Sequence, residues 1–419
     1  LAMLDPTQLL AVQLAVDLSK RVIGIDGQAG TGKTTIFEVI YKSLRKAGYR
    51  VAACAPTGRA AKRIEEKTGI PATTAHKLLE YPSPGERDAL TGQPLMPGDP
   101  KRCRNYPLEY DVVLCDEYAM VNHEMHRNLI GALPPGGCLR GFGDLNQLRP
   151  IEGNKALQRK DSPFREVLTR FDKVTLETTH RQSTGSDVLL NAERIMAGRA
   201  PRNLPDSRLH ITNKPLDILR KIITPEFGTP TCQIITPTKK TWVGTWKLNA
   251  LLQTHFIPGV SRKEMINLPR RKWEEENVTY VGAGDKIIWT ENDYTLDIMN
   301  GETGMVTDTD IEYGVLTIDF GTRKIEVPPQ VLREHSDGSV YQYDPRTSID
   351  LAYAITTHKA QGSEYKTIIY LLNKSSRFIQ CRSNLYTGMT RASESNDLIT
   401  DVMSLTNSVT RITTQMEDK

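Results

Sequence analysis

The stretch Gly27-Gln28-Ala29-Gly30-Thr31-Gly32-Lys33-Thr34-Thr35 lies between two patterns of different period. Before it, Arg21-Val22-Ile23-Gly24-Ile25-Asp26 is a short apolar run with β-branched residues, as in a strand buried on both faces. After it, apolar residues recur at helical spacing from Ile36 to Lys46, and Gly48 stops them. Strand, glycine-rich turn and helix, in that order, give the G-x-x-x-x-G-K-[ST] pattern the context of a phosphate-binding loop. The glycines let backbone N–H groups close around phosphate oxygens, and the helix start adds partial positive charge. Gly30, Thr31, Gly32 and Thr35 belong to that cradle. Lys33 would reach the β- and γ-phosphates, and the Thr34 hydroxyl would ligate Mg²⁺. A glycine-rich turn without function is the bland alternative, and the flanking strand and helix count against it. The ligand implied is a nucleoside triphosphate.

Upstream, Asp5 and Pro6 open an amphipathic helix that carries Gln8. Downstream, Arg50–Ala55 reads as a strand ending at Pro56-Thr57, followed by a basic helix (Arg59, Lys62, Arg63, Lys67) closed by Gly69. Thr73–Leu79 reads as a short helix with Thr74 and His76. From Tyr81 to Pro107, six prolines and the bases Lys101, Arg102 and Arg104 mark an insertion, expected to be a projecting hairpin. Asp111–Cys115 and Cys138–Phe142 are further buried strands, ending at Asp116-Glu117 and at Gly143–Pro150. Strands alternating with helices predict a parallel sheet with its ligand at the strand C-termini.

A second α/β pattern starts near residue 180, with a strand at Gln233–Thr236, a long helix over Lys239–Thr254, a strand over Leu351–Ile355 and a last helix around Asn384–Thr390. Trp242 and Trp246 read as a packed stripe on that long helix more readily than as a base-stacking platform. Between residues 278 and 350 short strands separated by Gly, Asn and Asp turns predict a small inserted barrel. No tandem repeat is apparent. The expected division is therefore 1–177 with its insertion at about 81–107, then 178–277 with 351–419, and 278–350 as the barrel.

The chain has 419 residues, 38% hydrophobic and 25% charged, with a net charge of +4. That balance suits an ordinary globular protein; it permits a nucleic-acid partner without requiring one. The six cysteines are scattered, without a C-x-x-C pair, so reduced thiols in a cytoplasmic protein are expected and zinc is not. No apolar run is long enough for a membrane span, so no membrane partner is expected.

Asp116 and Glu117 at a strand end narrow the chemistry. Asp116 suits Mg²⁺, and Glu117 suits orienting and deprotonating an attacking water. The Gln147 amide could sense the γ-phosphate, and Arg181 and Arg391 have the setting of arginine fingers. Asn154-Lys155-Ala156-Leu157 lacks the acid of a guanine reader.

The ordered set GQAGTGKTT, APTGRAA, CDEYAM, GDLNQLRP, THRQ, AITTHKAQGSE and LYTGMTRA resembles the motifs of superfamily 1 helicases, most of all the RecD-like and Dda-like enzymes of class B. The resemblance runs from about Asp5 to Ile399. It implies an α/β fold of two RecA-like domains with ATP and Mg²⁺ between them, a pin-like hairpin in the first and an SH3-like barrel in the second. It also implies 5′→3′ translocation on single-stranded DNA and opening of forks, by a monomer serving replication or recombination proteins. By motif, Gln8 would read the adenine and Glu364 the sugar or phosphates. Pro56, Thr57, Thr74, His76, Thr356, His358 and Lys359 would lie along the DNA. Leu95 and Met96 would form a wedge at the fork, against the alternative of a loop packed on the surface. Two departures stand out: Ala119 where the class has Ser, and Gln28 where Pro is usual. An RNA helicase, or an ATP-gated clamp that binds without unwinding, are the rival readings.

Overall fold

The computed structural model describes residues 4–81, 100–178, 186–269, 279–293, 295–334 and 340–412. The chain forms two compact units, Leu1–Gly185 and, for the most part, Ser186–Glu334 with Gly338–Glu417.

In the first unit the strands are β1 (Val22–Gly27), β2 (Val51–Ala55), β3 (Thr73–Thr74), β4 (Val112–Cys115), β5 (Cys138–Gly143) and β6 (Asp172–Leu176). They form one parallel sheet in the order β3-β2-β4-β5-β1-β6. Its helices are α1 (Pro6–Val16), α2 (Lys33–Lys46), α3 (Gly58–Thr68), α4 (Ala75–Leu78), α5 (His123–Gly131), α6 (Lys155–Gln158) and α7 (Pro163–Arg170). Successive strand residues point to opposite faces, which is why near-continuous apolar runs are needed here. Val51, Ala53, Val112 and Leu114 pack with Ala11, Ile36, Phe37 and Ile64, whereas Ala52, Cys54, Val113 and Cys115 pack with Met125, Leu129, Phe164 and Val167. Arg140 of β5 is fully buried; its guanidinium donates to the carbonyls of Ala15 (2.7 Å), Lys20 (2.8 Å) and Asp17 (2.9 Å), strapping the end of α1 to the sheet.

The second unit holds a parallel sheet ordered β18-β8-β19-β20-β7, made of β7 (Ser207–Ile211), β8 (Cys232–Thr236), β18 (Ala354–Thr356), β19 (Tyr365–Leu372) and β20 (Ala392–Thr400). On one face lie α8 (Asp187–Met196), α12 (Arg382–Met389) and α13 (Val402–Thr410); on the other lie α9 (Pro215–Ile222) and α10 (Thr245–Phe256). The one-turn α11 (Thr357–Ala360) follows β18. An antiparallel sheet, β14-β13-β12-β11-β17, is built from β11 (Lys286–Trp289), β12 (Thr303–Asp310), β13 (Val315–Asp319), β14 (Lys324–Val327) and β17 (Ile349–Leu351). Trp289, Val306 and Ile318 of this sheet share a core with Ile234 and Ile369 of the parallel one. Two short hairpin pairs, β9 (Ile266–Asn267) with β10 (Tyr280–Val281) and β15 (Val331–Glu334) with β16 (Val340–Tyr343), complete the described strands.

Four expectations need correction. The helix expected over Lys239–Thr254 starts only at Thr245. Residues 237–244 form a tight loop in which Thr245 N donates to Thr238 O (3.0 Å), and a Cβ on Gly244 would lie 2.4 Å from Lys239 O. Trp242 therefore precedes the helix, 40% exposed, and the two tryptophans make no stripe. The run Leu351–Ile355 splits between two sheets at Ala352-Tyr353, where Gln233 Nε2 donates to both carbonyls (2.9 and 3.0 Å). The helix expected over Thr73–Leu79 begins as strand β3, because Cys54 and Ala55 pair with Thr73 and Thr74. Of the insertion, residues 100–107 are described: Arg102 N donates to Leu79 O (3.1 Å) and its side chain to Glu80 (2.7 Å).

Candidate functional site

The turn after β1 is shaped by its glycines. Gly30 and Gly32 have φ of 85° and 80°, and a Cβ on Gly27 would meet Thr31 Oγ1 at 2.5 Å. Gly32 caps α2 without any side-chain hydrogen bond, so the first N–H groups of that helix have no capping side chain. Lys33 Nζ folds back onto the carbonyls of Gly27 and, at 2.9 Å, Gln28. Thr34 is half-buried and Thr35 exposed in the first turn, while buried Thr31 donates to Gln28 O (2.9 Å). Gln8, only 3% exposed, reaches this loop from α1: its Nε2 donates to Thr31 O (3.0 Å), and its Oε1 accepts from Asp5 N in a capping box.

Two strands away, Asp116 and Glu117 follow β4. Glu117 sits at φ 49°, ψ 38°, a left-handed conformation that costs a non-glycine residue about 1–2 kcal/mol. The Asp116 carboxylate supports that bend by accepting Glu117 N (2.8 Å). Burial, and then the neighbouring Glu117, push the Asp116 carboxyl up to about 6, against the pull of Lys33 and Arg63. Glu117 is buried; Oε1 lies 3.7 Å from Arg63 Nη1, and Oε2 has no hydrogen-bond partner among the described residues. After β5, Gln147 is likewise buried with its Oε1 unpartnered. Ala119 is buried beside Tyr118, whose hydroxyl bonds His126 Nδ1 (2.8 Å).

Uncapped helix N–H groups, a lysine whose charge is felt at Asp116, and two buried acceptors without donors among the described residues fit a triphosphate, a divalent cation and a water. Two residues of this site escaped the sequence reading. Asp26, at the end of β1, accepts Leu145 N (3.0 Å); burial raises its carboxyl against the pull of nearby Lys33. Arg63 read only as one charge of a basic helix. For Asp26 the available signal was its place at the last strand position before the glycine turn.

A second set gathers at other strand ends. Thr57 caps α3 through Ala60 N (3.3 Å), and buried Thr74 caps α4 through Lys77 N (3.1 Å). Pro56 is half-buried, and exposed His76 packs its ring 4.8 Å from Tyr81. In the second unit Thr356 caps α11 through Lys359 N (3.3 Å), and Lys359 Nζ pairs with Asp350 (2.8 Å). Burial holds the His358 imidazole below its ordinary range. A cavity of about 410 Å³ opens beside them, lined by Lys239, Trp246, Arg262, Tyr280, Thr356 and Lys359. Lys240 Nζ stands 5.1 Å over the Trp246 ring and Arg262 stands 5.2 Å over Tyr280, so these aromatics sit in a cationic setting that periodicity did not reveal.

Arg391 is 4% exposed and donates to Thr387 O (2.9 Å), Ser363 O (3.2 Å) and Thr390 Oγ1 (3.3 Å), next to half-buried Glu364. Arg181, Leu95 and Met96 lie outside the described residues.

Parallel strands, a glycine-rich turn into α2 and the strand-end acids define a P-loop NTPase. Residues 3–212 match the AAA domain family, and residues 351–395 match the UvrD-like helicase C-terminal domain. The chain belongs to this AAA-domain family, and the relatives it is similar to are RecD-like and Dda-like enzymes of superfamily 1 class B. It is 30% identical over 378 residues to the ATP-dependent RecD2 DNA helicase of Deinococcus radiodurans, covering 89% of this chain and 46% of that one. It is 34% identical over 246 residues to the ATP-dependent DNA helicase dda of Enterobacteria phage T4, covering 51% and 54%. The chain thus spans about half the length of either relative in the matched region. Its fold is similar to that of Bacteroides Pif1 bound to ssDNA, with a TM-score of 0.59 at 20% identity over 96% of this chain and 92% of that one. Among the described residues no helix is long and apolar enough to cross a membrane.

Proposed function

We propose that this protein is an ATP-driven motor that moves 5′→3′ along single-stranded DNA and separates duplex ahead of it. The observation that carries the reading is one sheet holding both the uncapped start of α2 at Lys33 and two strand-end acids with an unpartnered buried oxygen. In this reading the backbone of residues 30–35 and Lys33 hold the phosphates, Thr34 and Asp116 hold Mg²⁺, and Gln8 contacts the base. Bound ATP supplies the phosphoanhydride whose cleavage drives the cycle. Glu117 Oε2 holds the attacking water and accepts its proton, while Arg63 stands beside the other oxygen. Gln147 presents its carboxamide to the same water, and Arg181 and Arg391 serve as cations toward the γ-phosphate, with Glu364 near the sugar. Arg391 must exchange its carbonyl partners to do so.

Pro56, Thr57, Thr74 and His76 in the first unit, and Thr356, His358 and Lys359 in the second, line the strand, with Trp246 and Tyr280 beside the latter set. The working division is 1–177, then 178–277 with 351–419, and 278–350 as an SH3-like barrel. The segment near 81–107 acts as a pin whose Leu95 and Met96 meet the first base pair. The named activities of RecD2 and dda and the ssDNA of the Pif1 structure support this substrate; the direction rests on the class B resemblance.

Strand displacement on duplexes with a 5′ DNA tail, a 3′ DNA tail or a 5′ RNA tail tests the reading. ATP-dependent unwinding from the 5′ DNA tail is expected. Unwinding from the 3′ tail alone would overturn the direction, preference for RNA the substrate, and tight ATP-gated binding without unwinding the motor.

A further inference from the structure

Beyond β19 the chain turns through Lys374–Ser376, and beyond β20 it enters α13. Between them lies an open groove of about 730 Å³, whose lining includes Lys374, Arg377, Phe378, Met403, Asn407 and Arg411. Among the described residues, every charged residue of that lining is a cation. The nearby Asp401 carboxylate is spent on the start of α13, accepting Ser404 N (2.9 Å) and Lys374 N (3.1 Å).

The helix beside this groove leaves apolar side chains exposed in its first turn. Leu405 and Val409 are buried with Ser404 and Ser408, whereas Val402 and Met403 stand 66% and 68% exposed, and Phe378, which lines the groove with Met403, is 47% exposed. Exposed apolar side chains rimmed by like charges are the mark of an interaction surface. The floor is built in advance. Gln380 Nε2 donates to Asn373 O (2.8 Å) and Ser404 Oγ (3.0 Å), Asn407 Nδ2 donates to Gln380 Oε1 (3.1 Å), and Arg411 Nη1 donates to Arg377 O (3.0 Å). Little ordering is left to oppose binding.

A phosphate strand would use the cations but gain nothing from apolar Met403 in the lining. One face of the Phe378 ring already carries the Arg377 guanidinium, 4.6 Å from its centroid, so it is a poor stacking platform. We infer that this groove docks an acidic segment of a partner protein, its carboxylates on Lys374, Arg377 and Arg411 and an apolar side chain against Phe378 and Met403.

The test is fluorescence anisotropy of the full chain with a labelled peptide, a run of Glu and Asp ending in Leu-Phe. Binding is expected, with Arg377→Glu and Met403→Ser each weakening it about tenfold. Replacing Leu-Phe by Ser-Ser should weaken it comparably, and a single-stranded oligonucleotide should not compete. Both variants should keep the wild-type thermal midpoint, which separates a lost contact from a lost fold. Absence of binding, or equal binding by both variants, overturns the proposal. Full displacement by the oligonucleotide with no effect of Met403→Ser assigns the groove to a phosphate strand instead.

Discussion

In the first unit β2 ends at Pro56-Thr57 and its edge neighbour β3 leads into Thr74-Ala75-His76-Lys77; in the second, β8 ends at Pro237-Thr238 and its edge neighbour β18 leads into Thr356-Thr357-His358-Lys359. The strands continue in matching order, β4-β5-β1 against β19-β20-β7. There the likeness stops. β4 ends in Asp116-Glu117 but β19 in Asn373-Lys374; β1 opens into a glycine turn but β7 into Thr212-Asn213-Lys214. One architecture thus appears twice. The Pro-Thr and Thr-x-His-Lys strand ends are kept in both copies, and the acids and phosphate cradle in one. A feature retained where the chemistry is gone points to a task shared by the two units. Gripping a strand is such a task, and hydrolysis is not.

The sharpest way to break this comparison is to exchange the strand-end roles. Glu117→Gln should lower ATP turnover by about 10³-fold while nucleotide binding survives, because only the proton acceptor is lost. Lys374→Ala, at the matching strand end of the second unit, should leave turnover unchanged. Equal activity of Glu117→Gln and wild type in steady-state ATPase assays would remove the base from the first unit.

Asp116 gives a smaller effect. With its carboxyl raised to about 6, the charged form that suits Mg²⁺ is present above that pH and lost as pH falls through it. Mg²⁺ affinity should therefore drop about tenfold per unit of pH below 6. Isothermal titration across pH 5 to 7 (roughly the span of the transition) would check this, and a flat profile would contradict it.

The smallest effect sharpens the shared half of the comparison. Thr74→Val and Thr356→Val each remove the hydroxyl that caps a one-turn helix, at about 1 kcal/mol. Both should weaken single-strand affinity several-fold, whereas Thr→Ser at either site should not. A loss at one site alone would mean that the likeness is architectural only.

How much of this was legible in the sequence depends on range. The glycine turn, the strand-end acids and the apolar strand runs are local signals, and β1, β2, β4 and β5 stand where those signals put them. The loop over 237–244 was not legible, because Lys239–Thr254 has helical periodicity and the loop's one local mark is Gly244, whose missing Cβ permits the close approach to Lys239 O. Neither was the break at Ala352-Tyr353, which depends on Gln233, far away in sequence. Arg63 beside Glu117 is a contact between α3 and the end of β4, invisible to any window. The correspondence of the two Thr-x-His-Lys turns escaped for a related reason: four residues make no repeat until the sheet order aligns them.

Hydrogen–deuterium exchange with and without a single-stranded DNA oligonucleotide tests the central claim most directly. The account predicts slowed exchange in peptides covering 55–60 and 74–78 and equally in those covering 236–245 and 354–361. Protection confined to one unit, or absent from all four segments while the oligonucleotide is bound, would contradict it.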